Sequence, residues 1–108
     1  MPLDLDPPIS NYFATRNAGD AVGTAALFAE DGRVHDERHD HRGRSAIQGW
    51  AEETSRQYQM VQTPRTARQE DGATVVTAEV AGSFPGSPIE LSFRFVVDGQ
   101  QIKELQIG

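Results

Sequence analysis

Apolar positions along the chain change their period about halfway. In the first half they recur at helical spacing. Ile9, Tyr12 and Phe13, with Arg16 on the same stripe, stand at i, i+3, i+4 and i+7, which predicts a helix. Pro7-Pro8 suits its first turn, because proline lacks the N–H that the turn leaves unused, and Asp6 is placed as N-cap. Asn17-Ala18-Gly19-Asp20 ends the helix: Gly19 can adopt the left-handed cap and Asp20 can cap the next segment. A second helix is predicted over Ala21–Phe28, with Val22, Ala25, Ala26 and Phe28 partly toward a core. Glu30-Asp31-Gly32 reads as a turn. Arg33–Glu37 reads as a short strand, and Arg38–Gly43 as a polar loop. A third helix covers Ser45–Gln57, with Ile47, Trp50, Ala51 and Thr54 on one stripe.

From Tyr58 onward the period is two. Tyr58–Gln69 is a long, weakly alternating strand, and Asp71-Gly72 is a hairpin signal. Ala73–Phe84 follows, with Val76, Ala78, Val80, Gly82 and Phe84 on one face. Pro85–Pro88 turns the chain into Ile89–Val97, where Ile89, Leu91, Phe93, Phe95 and Val97 alternate with Glu90, Ser92, Arg94 and Val96. Asp98-Gly99 signals another hairpin. In the last strand, Gln101–Ile107, Ile102 falls on one parity and Leu105 and Ile107 on the other, which predicts a bulge between them. Helices first and an antiparallel meander last make an α+β fold, with the helices on one face of a curved sheet.

The chain has 108 residues and no cysteine. One domain spanning 1–108 is expected at this length. Without cysteine there is no disulfide, thiolate metal site or Cys nucleophile. Sixteen acidic residues against 10 basic ones leave a net charge of −6 with no basic cluster, so nucleic acid and anionic lipid are disfavoured as partners. No apolar run reaches membrane-spanning length. The opening MPLDLDPPIS has no basic flank or apolar stretch, so a secretory leader is not expected and a cytoplasmic setting is.

Two segments resemble a known family: Tyr12-Phe13-Ala14-Thr15-Arg16-Asn17-Ala18-Gly19-Asp20, and Ala26-Leu27-Phe28-Ala29-Glu30-Asp31-Gly32-Arg33-Val34-His35-Asp36. They are similar to the opening of ketosteroid isomerases and SnoaL-like polyketide cyclases, in the nuclear transport factor 2-like superfamily. Arg42-Gly43-Arg44-Ser45-Ala46-Ile47 and Ser92-Phe93-Arg94-Phe95 fit the same pattern. The resemblance implies a conical α+β barrel whose sheet wraps a long first helix. It also implies a pocket at the wide end and a homodimer through the outer sheet face. Many activities share this cone, so function has to be argued from the site.

Asp36 is the first candidate. On Arg33–Glu37, Val34 and Asp36 share one face, and His35 shares the other with Arg33 and Glu37. Val34 is the apolar member, so its face should be the inner one, which aims Asp36 inward. Desolvation makes a carboxylate a stronger base toward a weakly acidic C–H. The resemblance implies the same role, since the isomerases carry their general base at this place. The plainer role is an Asp that caps the next loop or meets water. Tyr12, on the apolar stripe of the first helix, must find a hydrogen-bond partner if buried. The matching Tyr of the isomerases donates to the substrate oxygen as charge develops; a bond to a backbone carbonyl is the alternative. One departure stands out. The isomerases place a second donor, an Asp, one residue before a His-Phe-Arg-Phe stretch, where this chain has Leu91 before Ser92-Phe93-Arg94-Phe95. Loss of such a donor costs about 3–4 kcal/mol of transition-state stabilisation.

Trp50, Val80, Phe84, Leu91, Phe93 and Phe95 are the expected walls of a substrate pocket, although each could equally be plain core. His35, His39 and His41 have a spacing that ligates zinc in some folds, but the interleaved Arg38 and Arg42 argue for a solvated loop and no metal. His35 and His39 could instead flank Asp36 at the pocket mouth. Two readings result. One is a cofactor-independent isomerase or cyclase in which Asp36 takes a proton beside a carbonyl of a small hydrophobic molecule and Tyr12 binds the enolate oxygen. The other is a non-catalytic cone that binds a small molecule or a second copy of the chain.

Overall fold

A computed structural model describes residues 3–108. Met1 and Pro2, the first two residues of the stretch MPLDLDPPIS, lie outside the described residues. The elements are α1 (Pro7–Asn17), α2 (Ala21–Ala26), β1 (Phe28–Asp36), β2 (His39–Arg42), α3 (Arg44–Tyr58), β3 (Val61–Glu70), β4 (Ala73–Ala81), β5 (Ile89–Asp98) and β6 (Gln101–Ile107). The strands form one curved, unclosed sheet in the order β2-β1-β6-β5-β4-β3. The α+β fold class therefore stands. The sheet has two free edges, β2 and β3, rather than closing on itself. The meander from β3 to β6 is antiparallel, but β1 joins β6 in parallel. Parallel neighbours need a long connection, and α3 together with the meander supplies it.

Local chemistry explains most boundaries. Asp6 holds the N-cap position of α1, but its side chain makes no capping bond. Pro7 and Pro8 occupy the first turn and have no N–H to offer, and the Ile9 and Ser10 amides bond the Asp6 carbonyl instead. Gly19 takes a φ of +69°, and Asp20 accepts from the Gly23 amide at 2.8 Å, so this boundary forms as expected. α2 stops at Ala26 rather than Phe28. Val22 faces solvent, and Phe28 is buried as the first residue of β1.

Glu30-Asp31-Gly32 is not a turn but the bulged middle of β1, where the register with β6 shifts between Phe28 and Arg33. A side chain at Gly32 would crowd the Ala29 carbonyl at 3.0 Å and Phe28, so the bend favours glycine. Arg38–Gly43 is not a loop. β2 pairs with β1 through a two-residue turn, Glu37-Arg38, with φ of 52° and 67°. That is the primed geometry matching strand twist, built here without the usual Asn-Gly or Asp-Gly. β4 ends at Ala81, because the next amides leave the ladder: Gly82 N–H goes to Ser87 Oγ (2.8 Å) and Ser83 N–H to the Tyr58 carbonyl (2.7 Å). The expected bulge in β6 lies between the pairs Val96–Glu104 and Val97–Ile102, and it lets Ile102 and Leu105 both be buried.

The core lies between the helices and the concave face of the sheet. α1 buries Ile9, Tyr12, Phe13 and Arg16 there, and α3 buries Ile47, Trp50, Ala51 and Thr54. Tyr12 and Phe13 meet Phe93 and Phe95 with centroids 5.3–6.4 Å apart, edge-on except for the tilted Tyr12–Phe93 pair. Each fully buried Phe removes enough apolar surface to stabilise the fold by about 1.5–3 kcal/mol. α3, at 15 residues, is longer than α1, at 11. Among the described residues no helix is long and apolar enough to cross a membrane.

Candidate functional site

A cavity of about 270 Å³ is lined by residues of α1, α3 and the sheet, just below the usual range for small-molecule sites. Its wall includes Tyr12 and Asp36, and also Trp50, Val80, Phe84, Leu91 and Phe93. Phe95, expected in the wall, does not reach it. It is fully buried one rung deeper on β5, opposite Thr74 and Leu105, and packs on Tyr12 and Phe13 as core. Leu91 is itself in the wall, so the position that the resemblance matches to the isomerases' second acid is apolar.

Asp36 ends β1, the strand that Val34 anchors in the core. Its Oδ2 accepts a bond of 3.0 Å from Trp50 Nε1 on α3. Trp50 also carries the Arg16 guanidinium over its ring, with Cζ 4.8 Å from the centroid, in a cation–π contact. Tyr12 is fully buried, and its hydroxyl has no hydrogen-bond partner among the described residues. Burial pushes its pKa up to about 12, and the negative charge of Asp36 adds to the rise; the Arg16 guanidinium beside it opposes the rise, by its charge and by weak hydrogen bonding beyond ordinary bond distance. The phenol is therefore a protonated donor at neutral pH.

Several wall residues carried no clear sequence signal. Arg16 did, since it stands one helical turn after Tyr12. It is buried, and its terminal nitrogens bond the Ala51 carbonyl (3.1 Å), Ser55 Oγ (3.0 Å) and Thr54 Oγ1 (2.7 Å). Among the described residues it forms no salt bridge. Glu37, expected opposite Asp36, joins the wall because it has left the strand for the left-handed turn. Tyr58 Oη donates to Glu37 Oε1 at 3.4 Å, and the negative charge of Glu37, ahead of burial, raises the Tyr58 pKa. Gln62 belongs to the wall because Asn17 pins its backbone, at 2.8 Å and 2.7 Å, to the end of α1. Met60, Ile89 and Ile107 complete the apolar lining.

The histidines lie elsewhere. Opposite pairing across the β1–β2 hairpin sets His35 against Asp40, and His39 and His41 against Asp36 and Val34. His35 is thus on the other face, where its Nδ1 meets Asp40 Oδ1 at 2.7 Å. The hydrogen bond from His35, aided by the charge of Arg33, holds the Asp40 carboxyl below its usual range. His41 stacks obliquely on Trp50, at 6.0 Å. Neither His35 nor His39 is in the cavity wall. Among the described residues, no group of three or more His, Asp or Glu is placed to hold a metal ion.

Solved structures share this architecture. A candidate polyketide cyclase from Sinorhizobium meliloti superposes with a TM-score of 0.92 at 30% identity, over 97% of this chain and 96% of that one. A Sphaerobacter thermophilus protein gives 0.81 at 25% identity, over 94% and 91%. A protein of ketosteroid isomerase-like fold from Catenulispora acidiphila, in complex with trimethylamine, gives 0.85 at 20% identity, over 97% and 86%. No curated protein matches the sequence. The model of the SnoaL-like domain matches residues 9–104. With nearly its whole length matched, the chain belongs to the SnoaL-like domain family.

Proposed function

We propose that the protein is a cofactor-independent enzyme of the isomerase or cyclase type, which removes a proton beside a carbonyl group in a small hydrophobic substrate. The observation that carries this reading is one cavity with both Tyr12, whose hydroxyl has no hydrogen-bond partner among the described residues, and Asp36 in its wall. Asp36 takes the C–H proton. The Trp50 bond engages Oδ2 and leaves Oδ1 for it. The electron pair moves into the carbonyl, and Tyr12 donates to the oxygen as it becomes an enolate. The enolate then either regains the proton from Asp36 at another carbon, or adds to a second carbonyl carbon of the same molecule, whose C=O π pair moves onto its oxygen and takes the proton back from Asp36. General-base action of this kind contributes about 10²–10⁴-fold. Trp50, Val80, Phe84, Leu91 and Phe93 would hold the apolar body.

A second reading, a binding module of the same fold, is favoured by Leu91 at the place of the second acid. The C. acidiphila relative, in complex with trimethylamine, is an instance of this fold with a small molecule bound. A homodimer through the outer sheet face, as the family resemblance implies, belongs to either reading and is checked by sedimentation equilibrium.

Deuterium exchange into 2-tetralone, followed by proton NMR, separates the two. Enzyme-accelerated exchange that falls about 10²–10⁴-fold in Asp36→Asn is expected. Exchange unchanged in the folded variant would remove Asp36 from the chemistry. Binding of tetralone without accelerated exchange would favour the module.

A further inference from the structure

Three buried polar side-chain atoms have no hydrogen-bond partner among the described residues: Tyr12 Oη, Arg16 Nε and Gln62 Oε1. All three residues line the same cavity, and they are 0%, 4% and 5% exposed. Leaving a buried polar atom unpaired costs about 1–3 kcal/mol; Tyr12 and Arg16 offset part of theirs against each other, and a ligand's polar groups can relieve the rest. The set is also chemically specific: a phenol donor, a cationic N–H donor and an amide acceptor. Tyr12 and Arg16 stand one turn apart on the buried face of α1. Gln62 is brought to the end of that helix by its paired backbone bonds with Asn17.

Arg16 is held without being neutralised. Its terminal nitrogens are committed to a carbonyl and two hydroxyls, all uncharged, and its face lies on Trp50. The Nε–H is left over. Among the described residues Arg16 is also the one cation in the wall, against Asp36 and Glu37. A fixed, water-excluded cation of this kind is suited to charge that develops on a substrate oxygen.

We propose that Arg16 and Gln62 are the substrate-recognition residues of this site. Arg16 Nε–H is the second donor to the oxygen that Tyr12 binds, in the electrostatic role left empty by Leu91. Gln62 Oε1 accepts from a hydroxyl carried next to that oxygen. The substrate class is then an apolar molecule of one or two rings with an enolisable carbonyl and an adjacent hydroxyl. This inference rests on the enolate-forming reading but is tested without turnover.

The probes are 2-naphthol, whose naphtholate stands in for the enolate, and 2,3-dihydroxynaphthalene, which adds the neighbouring hydroxyl. Absorbance titration of the bound 2-naphthol should show it ionising at least about one pH unit below the free molecule. Arg16→Gln should abolish that shift, and Arg16→Lys should keep part of it. The wild-type protein should prefer the diol by about tenfold or more, and Gln62→Leu should bring the ratio near one. The wild-type arms need no variant to fold. No binding of either naphthol at millimolar concentration overturns the proposal. So does ionisation of the bound naphthol at its free value, or equal affinity for the two probes. Naphtholate stabilisation without tetralone exchange would sink the catalytic reading and leave this subsite standing; the opposite pattern would do the reverse.

Discussion

The indole nitrogen of Trp50 donates to Asp36 Oδ2 across 3.0 Å, tying the middle of α3 to the last residue of β1. The bond fixes the carboxylate at the cavity and is half-buried, so it contributes to stability as well as to position. Trp50→Phe and Asp36→Ala should each destabilise the fold, and the double variant should lose about 1–2 kcal/mol less than the sum of the two. Urea denaturation followed by circular dichroism measures the coupling. Strictly additive losses would show that the bond contributes nothing.

Tyr12 predicts an alkaline limit. Its pKa is about 12 in the folded protein and near 10 when unfolded. The folded state therefore holds a proton that the unfolded state releases between those values. Its stabilising effect is complete below pH 10 and is lost as pH rises through 12, about 2–3 kcal/mol in all. Tm followed from pH 9 to 12 should fall more steeply for the wild type than for Tyr12→Phe. Parallel curves would show that the phenol titrates normally.

Two glycines should respond in opposite directions. A methyl at Gly82 would lie 2.6 Å from the Tyr58 carbonyl and press on Phe84 and Met60, so Gly82→Ala should destabilise by about 1–3 kcal/mol and disturb the cavity mouth. Gly49 sits in the exposed face of α3 with nothing near its missing Cβ. Gly49→Ala should raise stability by about 0.5–1 kcal/mol. Thermal melts of the two variants check both signs.

Asn17 closes two bonds with the Gln62 backbone, through Nδ2 at 2.8 Å and Oδ1 at 2.7 Å. Asn17→Ala should cost about 1–2 kcal/mol, and Asn17→Asp, which keeps the acceptor but sets a carboxylate oxygen against the Gln62 carbonyl, should cost at least as much. The order of denaturant midpoints tests this. An Asp variant clearly more stable than the Ala variant would mean that the bond from the Gln62 N–H alone matters.

Much of this molecule could be read from its residues in order. The stripe Ile9, Tyr12, Phe13, Arg16 and the stripe Ile47, Trp50, Ala51, Thr54 are the buried faces of α1 and α3, because helical period is a local property and a buried stripe has no other way to form. Asp71-Gly72 and Asp98-Gly99 turn the meander, and Gly19-Asp20 separates the first two helices, because left-handed backbone and side-chain caps require particular residues. β2 escaped notice because Glu37-Arg38 makes a tight turn with residues that do not announce one. The bulge at Gly32 looked like a turn because glycine serves both.

The site is a different matter. Asp36 and Tyr12 could be nominated from strand parity, helix stripe and family resemblance, but the bond from Trp50 to Asp36 and the exclusion of Phe95 from the cavity depend on how α3 and the sheet curve toward each other. Gln62 lies in a strand whose other residues are mostly exposed, and it is buried only because Asn17 pulls that strand to the end of α1. Periodicity reports which way a side chain faces relative to its neighbours in the chain. Which atoms then share an enclosed space is set by packing between segments tens of residues apart, and that information resides in no single stretch of the chain.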